Sequence, residues 1–85
     1  MALYEIRLLP SVRKDFRGIE KSEVRRLLRA IEKLTENPRP PDCRKLTGSN
    51  LYRIRVGNYR IVYEIYDEES VLVIVKLGHR RDVYG

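Results

Sequence analysis

The dipeptide Gly57–Asn58 constrains the fold of this chain more than any other short segment, because it joins two runs in which apolar and polar residues alternate. The runs cover residues 51–56 and 59–66, and Gly-Asn between two such runs predicts a two-residue β-hairpin turn. A turn of this kind fixes the register of both strands. The apolar cross-strand pairs that follow, on a face we expect to lie against helices, are Val56–Tyr59, Ile54–Ile61 and Tyr52–Tyr63.

The opposite face of the same hairpin is predicted to carry arginines. The register sets Arg55 directly opposite Arg60, with Arg53 two residues further along. Like charges facing each other across a strand pair destabilise it by roughly several tenths of a kcal/mol. An anion bound between the arginines would offset that cost, and an ordinary solvent-exposed sheet face is the alternative.

Charge changes sign along the hairpin. Residues 44 to 63 include no acid and five basic residues, which are Arg44, Lys45, Arg53, Arg55 and Arg60. Four of the next six residues are acids, namely Glu64, Asp67, Glu68 and Glu69. The sequence therefore predicts a sheet with a basic end and an acidic end.

Two helices are predicted ahead of the hairpin. The first follows an N-cap at Ser11 and ends near Gly18, and the second begins after Ser22 and ends at Asn37, which precedes a proline. The apolar residues at helical spacing are Val12, Phe16 and Ile19 in the first helix, and Val24, Leu27, Leu28, Ile31 and Leu34 in the second.

Two more strands complete the predicted fold. Residues 3–9 alternate as a first strand, residues 44–50 are predicted to be loop, and residues 71–77 begin with an apolar run typical of a central, covered strand. The order β-α-α-β-β-β predicts an α+β fold. It would have a mainly antiparallel four-stranded sheet with a helical hairpin packed on one face. The 85 residues are enough for one domain.

Composition excludes several classes of protein. A net charge of +6 and a pI near 9.8 indicate a polyanionic partner. The longest wholly apolar run, Val71–Val75, is far shorter than the roughly 20 residues that span a bilayer. Glu5 and Arg7 in the first strand argue against a signal peptide. One cysteine and one histidine form neither an internal disulfide nor a Cys/His zinc site. We therefore expect a cytoplasmic protein that uses no metal or other cofactor.

The C-terminal segment Gly78–Tyr84 adds candidate functional residues. If the last strand runs antiparallel to the one before it, its end returns beside Arg60. His79, Arg80 and Tyr84 would then arrive at the basic end of the sheet. The planar fork of arginine suits phosphate, and tyrosine offers a stacking surface for a base. For the single histidine, a structural role is the alternative.

These residues resemble the RelE/ParE toxin superfamily, and more closely its RelE branch. The resemblance covers nearly the whole chain and is carried by three segments in order, Lys45–Gly48, Leu51–Tyr63 and Gly78–Tyr84. It implies a ribosome-dependent endoribonuclease that cleaves mRNA in the ribosomal A site without a metal. The ribose 2′-OH attacks the adjacent phosphate and leaves a 2′,3′-cyclic phosphate. The resemblance also implies a RelB-like antitoxin that wraps the toxin into a hetero-oligomer.

The same resemblance assigns roles to individual residues. Arg60 and Arg80 match arginines that hold the phosphate and stabilise the transition state, and Tyr84 matches a tyrosine that stacks on the reacting nucleotide. Arg53 and Arg55 match positions that are often lysine in RelE-like enzymes. The residues assigned to RNA and phosphate binding are Lys45, Arg53, Arg55 and Arg81.

The two arginines at lysine positions change the proton chemistry that the resemblance implies. A lysine with a lowered pKa can accept a proton, whereas an arginine, with a pKa above about 12, cannot. Arg53 and Arg55 would then supply only electrostatic stabilisation. The general base or acid would have to be Tyr84, His79 or ribosomal RNA, and His79 is the best protein candidate because histidine titrates near neutrality.

Three alternatives remain open at this point. A ParE-like toxin would bind and inhibit DNA gyrase without catalysis, and the same fold serves both roles. A RelE homologue whose activity has decayed would still bind its antitoxin. A plain RNA-binding module is disfavoured because no group of aromatic residues lies among the arginines. The antitoxin could cover the basic sheet face or displace the segment from Arg80 to Tyr84.

Overall fold

A five-stranded mixed sheet organises residues 3–79, the part of the chain that the computed structural model describes. The elements are β1 (Glu5–Leu8), α1 (Pro10–Arg17), α2 (Lys21–Glu36), β2 (Arg44–Lys45), β3 (Leu51–Val56), β4 (Tyr59–Tyr66) and β5 (Val71–His79). The strand order is β1-β5-β4-β3-β2, with β1 parallel to β5 and the other neighbours antiparallel. The predicted α+β class with two helices is confirmed.

The sheet has one strand more than the four predicted. The segment 44–50, predicted to be loop, begins with β2, in which Arg44 lies opposite Arg53 and Lys45 opposite Tyr52. A strand of two residues is too short to show an alternating pattern. Only its pairing with β3 identifies it, and the four-stranded prediction was wrong for this reason.

The central hairpin of β3 and β4 pairs in the register that its turn predicts. Gly57 has φ +61°, in the left-handed region that glycine enters without a steric penalty. Arg55 lies opposite Arg60, as expected. The predicted apolar pairs are also present, namely Val56 with Tyr59, Ile54 with Ile61 and Tyr52 with Tyr63.

Both helices begin one residue earlier than their predicted N-caps. Leu9 is the N-cap of α1 and Pro10 its first residue, while Glu20 is the N-cap of α2. Ser11 and Ser22 are therefore inside the helices rather than caps. Proline suits the first helical position because it has no N–H to leave without a partner there. The helices end as predicted, at Gly18 and Asn37.

The helices bury their apolar stripe on one face of the sheet. Leu28, predicted to share the stripe, is 48% exposed, because it is rotated by about 80° around the helix axis from the middle of the face that Leu27 and Ile31 define. Within residues 3–79, no helix is both long and apolar enough to cross a membrane. The buried cluster comprises Val12, Leu27, Ile31, Leu34, Ile54, Val56, Ile61, Tyr63, Leu72, Ile74 and Leu77.

Strand β5 is an interior strand, as its apolar run predicts, and it contains a bulge. Tyr63 of β4 pairs with Ile74, but the preceding Val62 pairs with Lys76, so Val75 is an extra residue in β5. A bulge of this kind shifts the alternation of side chains by one position. Leu77 consequently returns to the helix side, where it is 3% exposed.

Candidate nucleic-acid interface

Four arginines from three neighbouring strands lie on the sheet face that points away from the helices. In β3 and β4 they alternate with residues buried under the helices, so their side chains project to the other side. One cross-strand row contains Arg55 and Arg60, and the next contains Arg44 and Arg53. We refer to Arg44, Arg53, Arg55 and Arg60 as the basic face.

Two members of the basic face are buried despite their charge. Arg53 is 8% exposed and Arg60 is 6% exposed, whereas Arg44 and Arg55 are exposed. Burial, and then the charges of Arg55 and Arg44, lower the pKa of the Arg53 guanidinium below its usual range. The direction follows because both effects disfavour the protonated form. An arginine remains charged at neutral pH all the same, so the face concentrates positive charge at a cost.

The row of Arg55 and Arg60 continues into β5 at a position without a side chain. Gly78 lies opposite Arg60, and the two strands are about 5 Å apart. At this position β5 therefore places no side chain next to Arg60. A phosphate bound there could approach the backbone of β5 closely.

Arg44 is the basic-face residue that sequence reasoning did not assign to binding. The sequence shows Arg44 as the first of the basic residues between positions 44 and 63. Which face of the sheet its side chain joins depends on the pairing of β2 with β3. The same pairing sets Lys45, a predicted phosphate ligand, opposite Tyr52, which belongs to the helix side of the sheet. Lys45 is exposed at the sheet edge and does not join the basic face.

His79 lies at the predicted end of the sheet but on the side that carries the helices. It pairs with Tyr59, and their rings meet edge to face at a centroid distance of 5.9 Å and an angle of 74°. The groove beside it is lined by Asp15 and Ile19 from the helical hairpin. The structure therefore does not bring the His79 imidazole together with Arg60. The other predicted site residues of this segment, Arg80, Arg81 and Tyr84, lie outside the described residues.

The acidic end of the hairpin contains a compact polar network. The Arg39 guanidinium donates to both carboxylate oxygens of Asp67, at 3.1 and 2.9 Å, and the Tyr4 hydroxyl donates to Asp67 at 2.7 Å. These bonds to the charged form lower the pKa of Asp67 to about 2. Arg39 also stacks over the Tyr52 ring at 5.3 Å. The network ties the loop before β2 to the β4–β5 turn.

A small α+β domain with a cationic sheet face has the features of a polyanion-binding protein. Among residues 3–79 there is no group of three or more side chains placed to hold a metal ion. Comparison with protein families gives a match over residues 6–84 to the family described as the ParE toxin of type II toxin-antitoxin systems. The chain belongs to this family, and it is a RelE-like toxin of the RelE/ParE superfamily.

Solved structures of toxin–antitoxin complexes contain chains with the same fold. The archaeal RelE–RelB complex from Pyrococcus horikoshii OT3 has a chain of 32% identity and TM-score 0.83, with 92% of this chain and 96% of that chain covered. The RelBE2 complex from Mycobacterium tuberculosis gives 25% identity, TM-score 0.83 and 94% coverage of both chains. The intact RelBE complex from Escherichia coli gives 26% identity, TM-score 0.78 and coverages of 89% and 95%.

Proposed function

We propose that this toxin is a ribosome-dependent endoribonuclease that cleaves mRNA in the ribosomal A site. The observation that carries the proposal is the buried Arg60, opposed by Arg55 on the basic face beside the side-chain-free position of Gly78. Cations fixed in this way stabilise negative charge as it develops, because they need no reorganisation during the reaction.

The proposed reaction is an internal transesterification. The 2′-oxygen attacks the adjacent phosphorus, the bond to the 5′-oxygen breaks, and the products are a 2′,3′-cyclic phosphate and a 5′-OH. Arg60 and Arg80 hold the phosphate and stabilise the pentavalent transition state, and Tyr84 stacks on the reacting nucleotide. Arg53, Arg55, Lys45 and Arg81 bind the RNA backbone along its path.

Proton transfer in this reaction needs a group other than the arginines, because a guanidinium does not give up its proton near neutral pH. His79 was the best candidate from the sequence, but its ring packs against Tyr59 on the helix side of the sheet. We therefore assign to His79 a positioning role at the end of β5. Tyr84 or ribosomal RNA would carry the proton.

The proposed regulator is a RelB-like antitoxin that forms a hetero-oligomer with the toxin. Support comes from the neighbours in structure, which include RelE chains in complex with RelB. An acidic segment of the antitoxin would cover the basic face and compete with RNA for Arg55 and Arg44, which are exposed. Such a complex could not place the basic face against the ribosome.

The test is a cleavage reaction with translating ribosomes and a defined mRNA, read by mapping new 5′ ends. Wild-type protein should give cuts at codon spacing, and Arg80→Ala and Tyr84→Ala, which removes the stacking ring, should abolish or strongly reduce them. Arg13→Ala removes an exposed cation of α1 and should cut as the wild type does. Absence of cuts by the wild-type protein would overturn the nuclease function.

A gyrase-inhibiting toxin is the second candidate, because the matching family is described by its ParE member. The same reaction series separates the two functions when a supercoiling assay is added. Blocked supercoiling by gyrase without ribosomal cleavage would establish the ParE-like function. A protein that is silent in both assays but binds its antitoxin would be a decayed homologue.

A further inference from the structure

A second cationic surface lies in a groove between α2 and the outer edge of β3, on the helix side of the sheet. The groove has a volume of about 470 Å³. One wall is a single face of α2, with Arg26, Arg29 and Lys33 at helical spacing. The other wall is the end of β3 and its turn, including Arg55 and Gly57.

The edge of β3 that forms this wall has no neighbouring strand. Strand β2 pairs only with Arg53 and Tyr52, so the backbone beyond them is left uncovered by any strand among residues 3–79. The Leu51 carbonyl accepts a bond from the β2 side at 2.8 Å, so alternation directs the backbone N–H and C=O of Arg55 toward the same open edge. The groove therefore offers a backbone donor as well as side-chain cations.

One of the groove cations lies close to the turn of the hairpin. A Cβ added to Gly57 would lie 3.0 Å from Nη1 of Arg26, so this guanidinium lies against the turn backbone. The carboxylate of Glu23 lies 3.8 Å from the same Nη1. Arg29 and Lys33 are exposed in the groove.

Charge in the groove is strongly one-sided. Four of the lining residues are cations and one, Asp42, is an acid. Arg55 also lines a neighbouring depression with Arg44 and Arg53, so the groove and the basic face share a residue. A predominantly cationic surface therefore runs from the basic face around the edge of β3 to α2, and Asp42 is the acid that lines both depressions.

The chemistry of the groove favours nucleic acid over a protein partner. Protein interfaces are organised around buried aromatic or apolar anchors, whereas nucleic-acid interfaces are polar and rich in cations. The large apolar side chains exposed among residues 3–79 are Leu3, Leu9, Leu28 and Tyr66, and none of them lines the groove. Of its own apolar residues, Leu34, Ile54 and Val56 are buried, and the small Ala30 and Pro40 are half-buried.

We propose that this groove binds the phosphodiester backbone of ribosomal RNA, so that the toxin grips the ribosome with α2 while the basic face holds mRNA. The proposal rests on the proposed function, because it takes the ribosome as the source of the RNA. Contacts of this kind position a protein without reading sequence. The groove thus orients the toxin on the ribosome, and cleavage takes place at the basic face, on the other side of the sheet.

The test compares two double variants that remove the same charge from exposed helix positions. Arg29→Ala with Lys33→Ala removes groove cations, and Arg13→Ala with Lys14→Ala removes cations of α1 that lie outside this groove. Binding to vacant ribosomes, which carry no mRNA, is measured by co-sedimentation at several salt concentrations. We expect the groove variant to bind on the order of tenfold more weakly, with a salt slope reduced by about 2.

The control variant should retain the salt slope and nearly all of the affinity. Equal losses in both variants would overturn the groove proposal, because they would reflect net charge alone. Loss of antitoxin affinity with unchanged ribosome binding would overturn it in favour of a protein site. The proposed function is judged separately, by wild-type cleavage of mRNA on programmed ribosomes. Its failure is therefore visible even if vacant ribosomes are bound.

Discussion

The two ends of the central hairpin handle charge in opposite ways. At the acidic end, the Asp67 carboxylate accepts hydrogen bonds from the Arg39 guanidinium and the Tyr4 hydroxyl, so its negative charge has an oppositely charged partner. At the basic end, Arg55 lies opposite Arg60 across the same two strands. One end pairs unlike charges, and the other holds like charges together.

This difference separates charge that supports the fold from charge whose mutual repulsion opposes it. The Asp67 network connects three parts of the chain and lowers the pKa of its own carboxyl group, which is a signature of stabilisation. The basic face does the reverse, since burial and the neighbouring arginines lower the pKa of Arg53. Substitutions at the two ends should therefore affect different properties of the protein.

The largest effect is expected at Arg60. Replacement by alanine removes the buried cation of the basic face, and we expect single-turnover cleavage on the ribosome to slow by about 10²-fold or more. Arg60→Lys keeps a positive charge but loses the planar fork, so its rate should fall between those of the alanine variant and the wild type. Arg13→Ala is the control. A wild-type rate for Arg60→Ala, with an intact unfolding transition, would contradict the role of the basic face.

Asp67→Asn tests the acidic end, and its effect should appear in stability rather than in cleavage. The carboxyl pKa is lowered from 3.8 to about 2, so its contribution is present at neutral pH. That contribution is lost as the pH falls from about 4 to about 2, because protonation breaks the pairing. We expect a lower urea midpoint at pH 7 and a flatter decline across this pH window. A variant that declines with the wild-type slope would show that Asp67 does not govern acid stability.

Arg55→Gln should produce opposite signs in the two properties. It removes one of two like charges facing across the ladder, so the free energy of unfolding should rise by up to about 0.5 kcal/mol. Ribosome binding should weaken, because Arg55 belongs to both cationic surfaces. Urea denaturation and co-sedimentation of the same preparation measure both effects. A loss of stability without a loss of binding would show that Arg55 supports the fold rather than ribosome binding.

The smallest effect on chemistry is expected at His79. Because its ring packs against Tyr59 on the helix side, His79→Gln should leave the pH profile of single-turnover cleavage unchanged. A modest decrease in rate at every pH would agree with a positioning role. If His79→Gln instead changes the shape of the pH profile, the histidine takes part in proton transfer.

The hairpin was predictable because its information is local. The turn at Gly57–Asn58 fixes which residues face each other, and the opposition of Arg55 and Arg60 follows by counting outward from it. The acidic cluster was visible in the sequence for the same reason. The bonds from Arg39 and Tyr4 to Asp67 were not, because they join residues that are distant along the chain.

The position of His79 shows where local counting fails. Strict alternation from the buried Ile74 would place residues 77 and 79 on the face opposite the helices, beside Arg60. The extra residue Val75 reverses that parity, so Leu77 enters the core and His79 faces the helices. The bulge depends on how β5 packs between β1 and β4, and no pattern in residues 71–79 predicts it.

The sequence by itself determined the α+β class, the two helices, the hairpin register and the opposition of arginines at one end of the sheet. These features depend on periodicity and on one turn, which act over a few residues. Only the tertiary structure decided that Arg44 joins the basic face, that His79 does not, and that α2 and β3 enclose a cationic groove. Each of these depends on how one element packs against another, and that information is spread over contacts between distant residues.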